Sequence, residues 1–236
     1  MFKSRHYEFK LWGKYALFTD PVTRVGGEKC SYHVPTYEAL KGVAKSIYWK
    51  PTIVWVIDAV RVMKPIRTQT KGTKPLVFNG GNTLAIYTFL ADVEYQVRAH
   101  FEWNLQRPEL ADDRNAAKHL AMTERALKRG GRQDIFLGTR DCQAYVEPCD
   151  FGADKGAYDT IDELTFGLMF RGFDYPDETG GNELYARFWQ PTMKKGVIEF
   201  AQSEDRITRK YIREMEAKPF ELHKNIKLLT DEELEA

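Results

Sequence analysis

Tyr48, in the string SIYWKP, and the adjacent pair Lys118-His119, in RNAAKHLAM, supply a phenol, an ammonium and an imidazole. Imidazole moves protons near neutral pH, and an ammonium steadies negative charge as it develops. A phenol titrates near pH ~10, so it orients a hydroxyl readily but acts as a base only with help. Each residue also has a plainer reading. Tyr48 reads as a packed aromatic at a helix end, His119 as a surface or satisfied interface histidine, and Lys118 as a solvated lysine. Neighbours on a helix point about 100° apart, so Lys118 has to reach round with its stem to serve the same centre as His119.

Other chemistries find little support. There is no G-x-x-x-x-G-K-[ST] phosphate loop, no G-x-S-x-G elbow and no H-E-x-x-H zinc helix. The five histidines, at 6, 33, 100, 119 and 223, have no metal-ligand spacing in sequence, and Asp112 and Asp113 diverge if helical. Asp174, Asp177 and Glu178 fall in a Pro/Gly turn, where acids are common for local reasons. No metal ligands and no cofactor are therefore expected. Cys30, Cys142 and Cys149 are odd in number and contain no C-x-x-C pair, which reads as reduced thiols in a cytoplasmic protein. No apolar run is long enough to cross a bilayer, so no membrane partner is expected.

Charge is distributed unevenly along the 236 residues. Residues 1–140 carry 23 Lys+Arg against 13 Asp+Glu, whereas residues 141–236 carry 12 against 21. A net charge of +1 thus conceals a basic first part suited to a polyanion and an acidic remainder.

The elements that must position these residues follow from periodicity. Residues 9–18 read as an aromatic-rich strand, and residues 19–34 as turns. Helical spacing through Tyr37, Leu40, Val43 and Ile47 is stopped by Lys50-Pro51. Residues 52–63 read as a buried strand, and residues 92–103 alternate strictly. A helix is expected from Asp112 or Asp113 to Arg129, with Asp112 as N-cap, followed by a strand over 135–147. This order predicts an α+β chain. A ferredoxin-like (RRM-like) βαββαβ domain over 1–148 precedes a small antiparallel β-sheet domain over 149–236. The second domain takes strands over 164–173, 183–190 and 196–200, and from about residue 203 a charged tail ends in DEELEA.

Several long strings, in order, carry a resemblance over nearly the whole chain: GGEKCSYHVPTYEALKGVAKSIYWKPTIVWVID, GGNTL, RAHFEWN, DRNAAKH, GGRQDIFLGTRDCQAYVEPC and DYPDETG. They resemble the CRISPR-associated family Cas five, in its subtype I-C (Dvulg) branch of the RAMP superfamily. The resemblance implies an endoribonuclease that cuts the repeat stem-loops of precursor CRISPR RNA. It further implies that the protein stays on the 5′ handle of the guide RNA, beside the backbone (Cas seven) and large (Cas eight) subunits of the interference complex. The family's catalytic tyrosine matches Tyr48, and its Lys-His pair matches Lys118 and His119.

RNA brings its own nucleophile, the 2′-hydroxyl. In-line attack on the adjacent phosphate needs a base, an acid and nearby positive charge, but no metal. Expected RNA contacts are Lys29 in the loop 19–34, Lys41, Lys45 and Lys50 around the first helix, and Arg114 and Arg125 on the second. Lys64, Arg67, Lys71 and Lys74 lie in the long connection 64–90, expected to form a protruding hairpin that touches RNA or a neighbouring subunit. Two alternatives stand beside cleavage. One is a non-catalytic subunit that grips guide RNA. The other is a single-strand reader of the RRM kind, for which the K/R-G-F/Y-G/A-F-V-x-F/Y signature is absent.

Overall fold

Tyr7, Phe9 and Leu11 alternate with half-buried residues and set the inner face of the first strand, β1 (Tyr7–Ala16). The computed structural model describes residues 2–78, 80–81, 83–200, 207–217 and 219. After a short helix α1 (Pro21–Val25), Thr36 caps α2 (Tyr37–Ile47) by accepting a hydrogen bond from the Ala39 amide. Helix α2 buries Tyr37, Leu40, Val43, Ala44 and Ile47 on one stripe. Pro51, which cannot continue a helix and biases the residue before it toward extended backbone, lies just beyond its end.

Strands β2 (Ile53–Val62), β3 (Thr68–Thr73) and β4 (Ala85–Trp103) follow, then a 3-10 turn at Pro108–Asp113 and helix α3 (Ala116–Lys128). β5 (Ile135–Phe136) and β6 (Gln143–Pro148) complete this part. The neighbours β6-β1-β4-β2 are all antiparallel, and α2 and α3 pack against the sheet and touch each other. That is the ferredoxin-like arrangement. Leu11, Leu40 and Val97 are fully buried between these layers, each contributing about 1.5–3 kcal/mol by leaving water.

Three expectations change in detail. The strand expected over 135–147 is interrupted by a turn. There Gly138 has φ +91°, and a Cβ would lie 2.1 Å from the Leu17 carbonyl oxygen, so only glycine fits. The helix expected from Asp112 starts later, at Ala116. Pro108 opens the 3-10 turn, Asp113 is buried, and Asn115 takes the extended cap geometry. The connection 64–90 is a hairpin, with β3 pairing β4 from Thr68↔Leu90 to Thr73↔Ala85, so β4 starts seven residues before the alternation 92–103 expected.

The acidic half divides between two sheets. Its strands are β7 (Leu164–Thr165), β8 (Met169–Asp174), β9 (Glu183–Trp189), β10 (Thr192–Lys194), β11 (Val197–Glu199) and β12 (Thr208–Glu214), with a short helix α4 (Pro176–Thr179) after β8. β11 pairs with β2 at Val197↔Arg61, and β10 and β7 continue outward, giving a nine-stranded sheet among the described residues. The other three strands form a sheet of order β12-β9-β8. The strand expected over 164–173 is therefore two strands in different sheets. Part of the expected charged tail, Thr208–Glu214, is the edge strand β12. The terminal DEELEA lies outside the described residues.

Candidate active site

Helix α2 ends at Ile47, and Tyr48 leaves it with extended φ/ψ of −156° and 132°. The indole Nε1 of Trp55 donates to the Tyr48 carbonyl at 2.7 Å, fixing that turn from the neighbouring strand. From the other side, Asn115 caps α3 by accepting from the Lys118 amide at 3.2 Å, which sets His119 in the first turns of the helix. These two helix ends bring the Tyr48 hydroxyl to 2.9 Å from His119 Nδ1.

The backbone decides which way that hydrogen bond runs. His119 Nε2 is 2.7 Å from the carbonyl oxygen of Asp113, which can only accept. Nε2 therefore carries the hydrogen, the Nδ1 of neutral His119 holds a lone pair, and the Tyr48 O–H donates to it. The Asp113 carboxylate lies 3.5 Å from the same Nε2 and accepts from the Thr52 hydroxyl. Phenol, imidazole and carboxylate thus stand in a row, ready to pass a proton from oxygen to Nδ1 and to steady the resulting imidazolium. Trp103 and Phe101 close round the imidazole, with centroids 5.3 and 6.3 Å away, and the Tyr48 and His119 rings are both 0% exposed. The Arg132 guanidinium lies 5.9 Å from the Tyr48 ring centroid.

The structure unites Tyr48 and His119, and it leaves Lys118 half-buried beside His119 on α3. Asp113 and Thr52 were not among the expected site residues. An aspartate just before a helix reads as a cap, and its inward turn depends on the 3-10 segment.

The expected RNA contacts separate into two groups. Lys41 is buried and ion-paired with Glu178, and Lys45 reaches the same carboxylate at 3.2 Å. Both ammonium groups fasten α4 to α2, Lys41 from a buried position and Lys45 with its side chain 31% exposed. Burial pushes Glu178 upward, but Lys41 and Lys45 outweigh it and hold the carboxyl below the usual range. Arg114 is likewise turned inward, donating to the carbonyls of Asn104 and Arg107 at 3.1 and 2.9 Å. In the second group, Lys64 is half-buried and pairs with Asp92, Arg67 is exposed, and Lys29 lies over the Tyr87 ring at 5.0 Å. Lys50 and Arg125 are half-buried, Arg125 at 2.9 Å from Met122 Sδ.

A family model described as CRISPR-associated protein (Cas_Cas5) matches residues 6–201. The chain belongs to the Cas5 family, in its subtype I-C branch. It is similar to a CRISPR pre-crRNA endoribonuclease Cas5d of Mannheimia succiniciproducens, 30% identical over 217 residues, covering 80% of this chain and 92% of the relative. A protein of the same name from Thermus thermophilus is 30% identical over 185 residues, covering 74% and 76%. Among solved structures, a CRISPR-associated protein superposes with TM-score 0.74 at 35% identity, covering 88% of this chain and 98% of that one. A functionally uncharacterized protein from Streptococcus mutans gives TM-score 0.72 at 37% identity, covering 85% and 94%. No described helix of this Cas5-family chain is long and apolar enough to cross a membrane.

Proposed function

We propose that the chain cuts the repeats of precursor CRISPR RNA by metal-independent attack of the RNA's own 2′-hydroxyl. The products are a 2′,3′-cyclic phosphate and a 5′-hydroxyl. The observation that carries this reading is the 2.9 Å bond from the Tyr48 hydroxyl to His119 Nδ1, with its direction fixed by the Asp113 carbonyl. Tyr48 accepts the 2′-hydroxyl hydrogen while passing its own proton to His119, which meets the need of a weakly acidic phenol for a helper base. The 2′-oxygen bonds to phosphorus, the bond from phosphorus to the 5′-oxygen breaks, and that oxygen takes its proton from solvent water, while His119 later returns to solvent the proton it received. Lys118 supplies positive charge to the phosphorane. Both relatives carry the name pre-crRNA endoribonuclease, which supports the same substrate class.

After cleavage the protein remains on the 5′ handle as a subunit of the type I-C complex, beside its backbone and large subunits. Family membership supports this part of the reading. With pure protein, stem-loop repeat RNA and excess EDTA, the expected result is a single cut whose 3′ end has the mass of a cyclic phosphate. His119→Ala should remove it.

A second reading is favoured by the complete burial of Tyr48 and His119. A dyad with no exposed atom also suits a packing role in a subunit that only holds guide RNA. Tight binding with no cut by nuclease-free wild-type protein decides for that reading.

A further inference from the structure

Strand pairing assembles a second set of ligating side chains on the sheet face turned away from the Tyr48–His119 pair. β1 and β2 both flank β4, so His6 just before β1, Asp58 in β2 and His100 in β4 meet although they are distant in sequence. Alternation along β4 sends Phe101 toward His119 and His100 to the opposite face. The β2–β4 register shifts between Ile57 and Ala59, so Asp58 sits at a bulge, a feature that re-aims side chains. His100 Nδ1 is 2.8 Å from Asp58 Oδ2, and His6 Nε2 is 3.7 Å from the same oxygen. The three ligand atoms all lie within 4.8 Å of one another. Tetrahedral ligands around zinc stand about 3.3 Å apart, given metal–ligand bonds of about 2.0–2.1 Å.

His100 supplies the independent argument. Its ring is 0% exposed and lies between two carboxylates, with Asp58 at Nδ1 and Glu102 Oε1 3.4 Å from Nε2. In the metal-free ring Nδ1–H donates to Asp58; an ion bound at Nδ1 would take that hydrogen's place, with Nε2–H then turned to Glu102. A carboxylate behind a ligating imidazole is the usual support of a metal-bound histidine, fixing its tautomer and raising its basicity. His6 is 49% exposed, which opens the cluster to solvent.

We propose that His6, Asp58 and His100 bind a divalent transition ion of the zinc class, leaving a coordination position to water. Two imidazoles and one carboxylate suit zinc, cobalt or nickel better than magnesium, which prefers oxygen ligands. The bound ion ties the start of β1 to the bulge of β2 and to β4. It lies across the sheet from the cleavage dyad, so it takes no part in cleavage.

The test uses cobalt(II) as a spectroscopic probe on the full chain after dialysis against chelator. Wild-type protein should bind one ion per chain, with visible bands of a low-symmetry nitrogen–oxygen site displaced by zinc. His6→Ala, a change at an exposed side chain whose fold near-UV circular dichroism checks, should lose those bands. Glu102→Gln should weaken binding by roughly 10–100-fold while preserving the band shape. Three results would overturn the proposal: no bands in wild type, equal binding by His6→Ala, or thiolate charge-transfer bands that locate the ion on a cysteine.

Discussion

Among single residues, the Asp113 carbonyl gives the site its direction, because it fixes the hydrogen on His119 Nε2 and so makes Nδ1 the acceptor for Tyr48. Loss of the imidazole in His119→Ala should lower the cleavage rate by roughly 10²–10⁴-fold in single-turnover assays. Asp113→Asn keeps the carbonyl and the tautomer but removes the charge that steadies imidazolium. The carboxylate stands 3.5 Å from Nε2 and meets the ring as an ion pair once the imidazole is protonated, so the rate should fall by roughly 10-fold, with circular dichroism unchanged. A wild-type rate for Asp113→Asn would show that the carboxylate serves folding only. From residue types alone, Tyr48 and His119 were ordinary helix-end residues, and the family resemblance singled them out. Asp113 was not legible, since a pair of acids before a helix signals a cap whichever of them turns inward.

At the level of elements, α2 carries two tasks, delivering Tyr48 at its end and receiving α4 along its side through Lys41, Lys45 and Glu178. Removing Glu178 leaves the buried Lys41 ammonium without its partner carboxylate, so Glu178→Gln should cost about 3–5 kcal/mol in urea unfolding. The pH dependence has a definite sign. The folded Glu178 carboxyl is held below its ordinary value, so its stabilisation is present above about pH 4.3 and disappears as pH falls through the lower folded value. The stability difference between wild type and Glu178→Gln should therefore shrink on acidification. A difference independent of pH would contradict the pairing. Periodicity revealed β2 and α2 to within a residue or so, because their apolar stripes are unbroken. It missed the start of β4, whose first residues lie in the polar hairpin, and it joined β7 to β8, which belong to different sheets.

For the whole molecule, β11 joins the acidic second part of the sequence to the sheet of the basic first part. Several cations are committed internally, Arg61 to Asp159 and Lys41 to Glu178 among them, so charge counted along the chain overstates the surface open to RNA. Sequence shows the number of charges but not which of them pair across strands. Exposed Arg67 and Lys74 on the β3–β4 hairpin remain candidates for phosphate contact. Replacing both by serine should weaken RNA binding and flatten the slope of log K against log salt by about 0.7 per lost single-strand contact. An unchanged slope would exclude the hairpin from the footprint. In the proposed reaction Tyr48 and His119 form a proton relay for a 2′-hydroxyl, and the chemistry of the severed RNA end records it. Mass spectrometry of repeat RNA incubated with the protein in EDTA should show a 2′,3′-cyclic phosphate that Tyr48→Phe and His119→Ala each suppress. A 3′-hydroxyl end, or full cleavage by both variants, would contradict the account.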